Sequence, residues 1–296
     1  MNLTRKTQLL RVLNRLVDGV QFSWRKSKRD NLTDEEINLH LKNQQPVFFL
    51  STGRCGTALF TQLISRDKSV SCFHEPLPHL NEESLYAWQS FSKGKELKES
   101  RLNHIFTAVR RHYLCKSVLY NKRYIETNHN ITFFAPAIEE TLTNPIFIHI
   151  FRHPGEFIRS GMRRGWYTGK HRFDSGRLKP YKGHEAMSSW PLFSAEQKIA
   201  WLWNETNGFI DTFLENIPDN RKFHLNFNNL NVDNAEELVR FLDLSIPTEI
   251  IAKTLSKSIN RQKIGNYPVY GEWSMDLKSK IMNICVNLMK KYGYSF

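Results

Sequence analysis

Residues 47–60 (VFFLSTGRCGTALF) constrain the fold of this chain more than any other stretch. Val47–Leu50 has the unbroken apolar character of a short buried strand, and the run that begins at Thr57 has the apolar spacing of a helix. The small residues between them predict a loop whose backbone N–H groups face a ligand at a helix N-terminus, where the helix dipole favours anions. Glycine in such a loop lets an oxyanion approach the backbone closely. This stretch therefore predicts a strand–loop–helix unit that binds phosphate or sulfate.

The loop differs from that of a magnesium-dependent nucleotide hydrolase. Gly56 is followed directly by Thr57, without the lysine of the G-x-x-x-x-G-K-[ST] pattern. The second strong strand, Ile146–Phe151, leads into Arg152 and not into an acidic residue that could hold magnesium. We therefore expect a phosphate-bearing ligand and no metal requirement. For the loop taken alone, an ordinary turn of an α/β protein stays open as the alternative.

A second anion-binding pattern begins at Arg152. The residues from Arg152 to Ser160 read R-x-P-x-x-x-x-x-S, and Pro154 suits the first turn of a helix. Arg152 would lie in the loop and Ser160 about two turns into the helix. A guanidinium and a hydroxyl could then hold one phosphate from two sides.

Together these patterns resemble those of the sulfotransferases that use 3′-phosphoadenosine 5′-phosphosulfate. In that family a [PS]-x-[KR]-[SCG]-G-T loop binds the 5′-phosphosulfate, and a downstream R-x-P-x-x-x-x-x-S binds the 3′-phosphate. Ser51–Thr57 and Arg152–Ser160 are similar to the two patterns and follow the family's order. The resemblance covers residues 46–296. It implies a P-loop-like α/β three-layer sandwich, with this donor as co-substrate, adenosine 3′,5′-bisphosphate as product and no metal.

Later stretches extend the resemblance. Trp201–Asn204 looks like part of the family's W-x-x-x-N helix, and residues 221–227 look like the strand that leads into an acidic E-D-L. This chain has Asn228-Asn229-Leu230 in that place, which puts an acidic role there in doubt. Lys263 and Gly265, followed by Trp273, resemble a basic-glycine loop that closes over the 3′-phosphate.

The resemblance implies roles for individual residues. The donor-binding candidates are Ser51, Thr52, Gly53, Arg54, Cys55, Gly56, Thr57, Ala58, Arg152, Ser160, Lys263 and Gly265. Arg54 and Lys116 are expected to stabilise charge on the transferred group, with a snorkelling lysine as the alternative for Lys116. One branch of the family uses as base a histidine two residues after a strand-end lysine, which Lys116-Ser117-Val118 lacks. Other branches use a glutamate beyond the loop, so Glu75 is the predicted base and His74 the second candidate.

Strand and helix patterns alternate along the chain, which predicts a mostly parallel sheet with helices on both faces. The further predicted strands are 69–73, 113–115 and 131–135. Glu75, Lys116 and Arg152 would then follow strand ends, and ligands of such folds bind beyond the carboxyl ends of the strands.

Composition and charge fit one domain with a basic N-terminal extension. The chain has 296 residues, 40% of them hydrophobic, and a formal net charge of +13. Its four cysteines have no metal or C-x-x-C spacing, and no apolar run reaches membrane-span length, so we expect a cytoplasmic enzyme. Residues 1–45 predict a basic amphipathic appendage that packs on its own domain or on a sister subunit; membrane contact is the less favoured alternative. A homo-oligomer therefore stays open.

Two other classes of function remain open at this stage. A cysteine phosphatase or sulfurtransferase could use Cys55, whose thiol pKa a helix N-terminus would lower, although Thr61 stands where a phosphatase has arginine. A non-catalytic nucleic-acid binder rests on charge alone and has no aromatic pattern to support it, so no nucleic-acid partner is expected. The polar and aromatic segment 166–190 favours a small-molecule or carbohydrate acceptor, sulfated on a hydroxyl or a nitrogen. Trp166, Tyr167 and Trp273 are the candidates for holding adenine.

Overall fold

A computed structural model describes residues 32–92, 99–169, 174–256 and 265–294. Five strands form one sheet in the order β2-β3-β1-β4-β5, and every neighbouring pair is parallel. The strands are β1 (Val47–Leu50), β2 (Val70–His74), β3 (Arg123–Thr127), β4 (Ile146–Phe151) and β5 (Lys222–Asn226). The prediction of a parallel central sheet is therefore confirmed.

Helices cover both faces of this sheet and complete the three-layer α/β architecture. Among the described residues they are α1 (Asp34–Gln44), α2 (Thr57–Ile64), α3 (Asn81–Ser92), α4 (Glu99–Leu119), α5 (Ala135–Thr141), α6 (Pro154–Met162), α7 (Ala195–Glu215), α8 (Val232–Phe241), α9 (Thr248–Leu255) and α10 (Met275–Lys291). None of these helices has the length and apolar character needed to cross a membrane.

The central strand β1 is buried on both faces because its side chains alternate between two cores. Phe48 and Leu50 belong to the core that includes residues of α4, α5, α7 and α10, whereas Val47 and Phe49 belong to the core under α2 and α8. Burying each such side chain contributes roughly 1.5–3 kcal/mol. The strand order reverses at β1, because β3 and β2 lie on one side of it and β4 and β5 on the other. Such a reversal opens a crevice at the carboxyl end of the strand.

Two predicted strands are wrong. Residues 113–115 lie inside helix α4, and the third strand is β3, which follows that helix. Residues 131–135 form most of a 3₁₀ helix (His129–Phe134) that leads into α5. Lys116 therefore lies in the last turn of a helix and not at the end of a strand.

Only part of the predicted N-terminal appendage is described. Thr33 caps α1 in a reciprocal pair with Glu36, and Ile37 and Leu41 of that helix are buried in the main core. The predicted amphipathic helix of the first residues lies outside the described part of the chain.

Candidate active site

The loop between β1 and α2 has the conformation that its glycines permit. Gly53, Arg54 and Gly56 have positive φ angles of 75°, 58° and 82°. A Cβ atom on Gly56 would lie 2.1 Å from the Phe227 ring, so the loop can approach that ring only without a side chain at this position. Thr57 then begins α2, and Gly56, Thr57 and Ala58 line the cavity described below.

Hydrogen bonds fix the start of this loop to the 3₁₀ helix. The Ser51 N–H donates to Thr132 Oγ1 (3.1 Å), and the same hydroxyl donates to Ser51 O (3.0 Å). The Gly53 N–H donates to Ser51 Oγ (3.1 Å). These bonds hold the backbone in place before any ligand arrives, which is the preorganisation that anion binding requires.

Cys55 is buried beneath the loop. Its thiol donates to Gly53 O (3.2 Å) and lies 3.3 Å from Thr52 Oγ1. Burial raises the pKa of this thiol, against the expectation that the helix N-terminus lowers it. This burial does not favour Cys55 as a nucleophile, the role that the cysteine-dependent alternative requires.

Arg152 lies directly beside the loop. It follows β4, and its Nη1 donates to Arg54 O (2.8 Å). The Trp203 indole of α7 donates to Arg152 O (2.9 Å), and Asn228 Oδ1 accepts from the His153 N–H (2.6 Å). The Asn228 amide oxygen thus serves as the acceptor for the His153 N–H, and this hydrogen bond does not require a charged side chain. Arg152 Nε is buried and has no hydrogen-bond partner among the described residues.

Helix α6 presents Ser160 to the same region. His153 caps the helix by accepting from the Gly155 N–H (3.0 Å), and Pro154 occupies the first helical turn as predicted. Arg164 Nη1 donates to Ser160 Oγ (2.7 Å) and to Ser160 O (2.8 Å). Burial, together with the nearby Arg54, Arg163 and Arg152, lowers the pKa of Arg164 to about 10.

One cavity of about 1700 Å³ connects the two motifs. Arg54 and Arg152 both line it, with Ser160, although they come from loops that are far apart in sequence. Six arginines line this cavity against three glutamates, so its wall is strongly cationic. Burial lowers the pKa of Arg54, and repulsion from Arg152 lowers it further, whereas the nearby Glu75 charge raises it. The cavity is therefore suited to a multiply charged anion.

Glu75 also lines this cavity. It follows directly after β2, an element that carries none of the lining arginines. Its Oε1 is 3.1 Å from His129 Nδ1, and both side chains line the cavity. The hydrogen bond from His129 lowers the pKa of Glu75 to about 2, with smaller contributions from the charges of His129, His74 and His79. Because an ionised carboxylate only accepts, His129 Nδ1 must donate; in the neutral ring, Nε2 then carries the lone pair.

His74 has a structural bond in addition to its place in the cavity wall. Its Nδ1 donates to Thr127 O (3.0 Å), which ties the end of β2 to the end of β3. Glu75 itself has a positive φ of 43°, a conformation that few residues with a side chain adopt. Strain of this kind is concentrated at functional positions.

Several predicted site residues are not in the cavity wall. Lys116 lies on α4 and does not line it, and neither does Trp273. Lys263 lies outside the described residues. Gly265 also does not line the cavity, but its carbonyl accepts from Arg163 Nε (2.8 Å), and Arg163 does. Of the three predicted adenine-binding aromatics, Trp166 lines the cavity.

His129, Arg164 and Phe227 line the cavity and were not predicted as site residues. His129 lies two residues after the end of β3. A signal for it is present in the sequence, because Asn128 caps the 3₁₀ helix through a bond to the Asn130 N–H (3.0 Å) and so marks the end of a strand.

Two solved structures of sulfotransferases are similar to this one. A sulfotransferase domain from the curacin biosynthetic pathway superposes with a TM-score of 0.52 at 14% identity, over 85% of this chain and 98% of that domain. The chain has the fold of the sulfotransferases. A sulfotransferase from Alicyclobacillus acidocaldarius gives a TM-score of 0.51 at 11% identity, over 85% of this chain and 97% of that protein. No protein-family model and no curated protein matches the sequence. At the level of fold, the resemblance inferred from two short motifs is confirmed.

Proposed function

We propose that this chain transfers a sulfuryl group from 3′-phosphoadenosine 5′-phosphosulfate to a hydroxyl or nitrogen of a small natural product or carbohydrate. One observation carries the proposal: the Ser51–Thr57 loop and the Arg152–Ser160 motif line one cationic cavity at the carboxyl ends of β1 and β4. A donor with phosphate groups at the 5′ and 3′ positions of its ribose needs two anion sites in one cavity. The shared wall supports the proposal because it offers both.

The two ends of the donor would be held by different elements. At the 5′ end, the free N–H groups of α2 and the Thr57 hydroxyl bind the phosphosulfate, and Arg54 neutralises it. At the 3′ end, Arg152, Ser160 and Arg164 bind the phosphate; the bonds that Arg152 makes to Arg54 O and that Arg164 makes to Ser160 Oγ keep these donors in place. Trp166, buried against Phe157, offers an aromatic surface near this end for the adenine.

The reaction is an in-line displacement at sulfur. The acceptor oxygen or nitrogen forms a bond to sulfur while the bond from sulfur to the bridging phosphate oxygen breaks, and adenosine 3′,5′-bisphosphate leaves. Negative charge grows on the leaving phosphate, and cations fixed in advance stabilise it without reorganisation. Arg54 provides this cation, and Lys116, which lies on α4 outside the cavity wall, does not.

The pair of Glu75 and His129 would take the proton that the acceptor loses. A carboxylate with a pKa of about 2 is a weak base by itself. Held through Nδ1, however, His129 has its Nε2 lone pair available, and the Glu75 carboxylate stabilises the imidazolium that forms, as in other carboxylate–histidine pairs. The proton therefore goes to His129, and Glu75 orients the ring and supplies the compensating charge.

Binding of adenosine 3′,5′-bisphosphate, followed by calorimetry, tests the donor site. Losing the charge-assisted bonds of Arg152 in Arg152→Ala should cost roughly 1.5–3 kcal/mol, or about ten- to a hundredfold in Kd. Arg240→Ala is the matched control, since Arg240 lies on α8 with a side chain that is 70% exposed. Equal affinities in the two variants would contradict the donor site.

Turnover tests the chemistry separately. With labelled donor and a panel of polar acceptors, Glu75→Gln and His129→Gln should lower kcat while nucleotide binding is retained, and Lys116→Ala should behave as wild type. Cys55→Ser should also keep its activity, because the buried thiol does not line the cavity. A loss of activity confined to Cys55→Ser would favour the cysteine-dependent alternative.

A further inference from the structure

A second cluster of ligand-type side chains lies outside the candidate active site, on the α7 face of the sheet. His149 of β4 and His224 of β5 are paired across the two strands, and Asp211 of α7 lies against them. One nitrogen or oxygen from each of the three residues lies within 4.8 Å of the other two. None of the three lines the active-site cavity.

The hydrogen bonds around His149 define which ring nitrogen carries the hydrogen. Asn207 Nδ2 donates to Trp203 O (2.8 Å), so Asn207 Oδ1 is the atom that faces His149 Nε2, at 3.0 Å. An amide oxygen only accepts, and Nε2 must therefore donate. In the neutral ring, Nδ1 then presents a lone pair.

That lone pair points to another acceptor. His149 Nδ1 has no hydrogen-bond partner among the described residues, and Asp211 Oδ1 lies 3.6 Å away. The His149 side chain is completely buried. Two electron-rich atoms facing each other in a low-dielectric interior repel unless a positive charge lies between them.

We propose that His149 Nδ1, the Asp211 carboxylate and a ring nitrogen of His224 bind a divalent transition-metal ion of the zinc type. Two imidazoles and a carboxylate are a preferred ligand set of zinc and related ions. Ligand atoms about 2.0–2.1 Å from a tetrahedral ion are about 3.4 Å apart, close to the separation of His149 and Asp211. His224 is exposed, so its ring can adjust and the remaining position is open to water.

The second ligand shell supports this assignment. A metal-binding histidine usually donates its other N–H to an oxygen acceptor, and Asn207 Oδ1 provides that acceptor for His149. The ion would join β4, β5 and α7 just before Arg152, whose carbonyl is held by Trp203 of the same helix. The role expected from this position is structural.

Lys291 competes for the same carboxylate. Its Nζ lies 2.8 Å from Asp211 Oδ2, and its side chain is 53% exposed, so it can withdraw into solvent. The other basic group near the exposed ring is Lys222, which acts on His224. Replacing Lys291 by an uncharged residue should therefore tighten metal binding, whereas a merely structural histidine cluster would show no such gain.

The test uses the full chain without an affinity tag, cleared of metal by chelator and dialysis, and titrated with zinc chloride by calorimetry and by thermal unfolding. We expect one saturable equivalent and a rise in Tm. His224→Gln should weaken zinc binding by about tenfold or more and remove the rise in Tm. Lys291→Met should tighten binding. His104→Gln, at an exposed position on α4, should match wild type and is the control for adventitious surface binding.

Three results would overturn the proposal. They are the absence of a saturable equivalent in wild type, the same affinity in His224→Gln, and weaker zinc binding in Lys291→Met. Because His224 and Lys291 are both exposed and lie outside the active-site cavity, neither variant depends on the sulfuryl-transfer proposal.

Discussion

At the scale of single residues, Gly56 carries a strict geometric requirement of the loop between β1 and α2. Its φ is +82°, and an added Cβ would meet the Phe227 ring at 2.1 Å. We expect Gly56→Ala to destabilise the fold by about 1–3 kcal/mol and to weaken nucleotide binding, because the loop or the ring must move. Urea unfolding and calorimetry measure the two effects.

Gly208→Ala is the matched control for that substitution. Gly208 lies within α7, and nothing is within 4 Å of the position that its Cβ would take. Alanine there should be neutral or stabilise by about 0.5–1 kcal/mol, since glycine is the poorer helix former. Equal stability changes in the two variants would show that the Gly56 backbone is less constrained than its geometry indicates.

The ionised state of Glu75 predicts a particular pH dependence. Its pKa falls from 4.5 in an unfolded chain to about 2, chiefly through the hydrogen bond from His129. A depressed carboxyl pKa contributes stability above the unfolded value, and this contribution is lost as the pH falls from about 4.5 toward 2. We expect the acid-unfolding profile of Glu75→Gln to be shallower than that of wild type in this window. The exposed Glu249→Gln controls for removal of one charge, and a profile that coincides with that of wild type would contradict the pairing.

At the scale of elements, a buried ion pair joins α4 to β3. Arg110 and Glu126 are both inaccessible to solvent, and Arg110 Nη2 lies 2.9 Å from Glu126 Oε1. The same carboxylate accepts from the Tyr124 hydroxyl (2.5 Å) and from Asn128 Nδ2 (2.9 Å). The pair therefore aligns the strand end that precedes His129.

Removing one partner of this pair should be far more harmful than replacing both. Arg110→Met leaves an uncompensated buried carboxylate and is expected to cost about 3–5 kcal/mol in the free energy of unfolding. Arg110→Met combined with Glu126→Gln removes that charge while keeping an acceptor for Tyr124, so most of the loss should be recovered. Urea unfolding measures both variants, and a double variant that is no more stable than Arg110→Met would contradict this account.

The same pair explains why sequence reasoning misplaced the third strand. Strands made of apolar residues alone, such as β1 and β4, are predictable because both faces are buried in hydrophobic cores. In α4, the charged Arg110 occupies a core position of the helical repeat. The apolar pattern of the sequence therefore ends at Val109, although the helix continues to Leu119. In β3, Glu126 interrupts the apolar run. Each charge is compensated only by the other, and that partnership exists only in the folded chain.

The misplaced third strand accounts for two of the errors in the site, at Lys116 and at His129. Placing a strand end at Lys116 assigned a catalytic cation to a helix and hid the true strand end at Thr127, two residues before His129. The donor motifs were predictable because each is a contiguous pattern after an apolar strand. The pairing of Glu75 with His129 was not predictable, because the two residues meet only when β2 and β3 become neighbours in the sheet.

At the scale of the whole molecule, part of the excess positive charge lines the cavity where the proposed donor would bind. The formal net charge is +13, and six arginines line one cavity. Such a wall attracts a polyanion over a distance, and dissolved salt screens this attraction because the Debye length falls from about 10 Å at 0.1 M to about 3 Å at 1 M. Binding of adenosine 3′,5′-bisphosphate should therefore weaken as salt rises.

Thermal unfolding of the protein with and without nucleotide can measure this salt dependence. A ligand that binds only the folded state adds about 2.7 kcal/mol at a hundredfold excess over its Kd, so nucleotide should raise Tm at low salt and raise it less at high salt. Adenosine, which has the same base and ribose without phosphates, is the matched control and should show little salt dependence. If the bisphosphate bound equally well at both salt concentrations, its affinity would come from the base and ribose contacts, and the arginine wall would have to serve the acceptor instead.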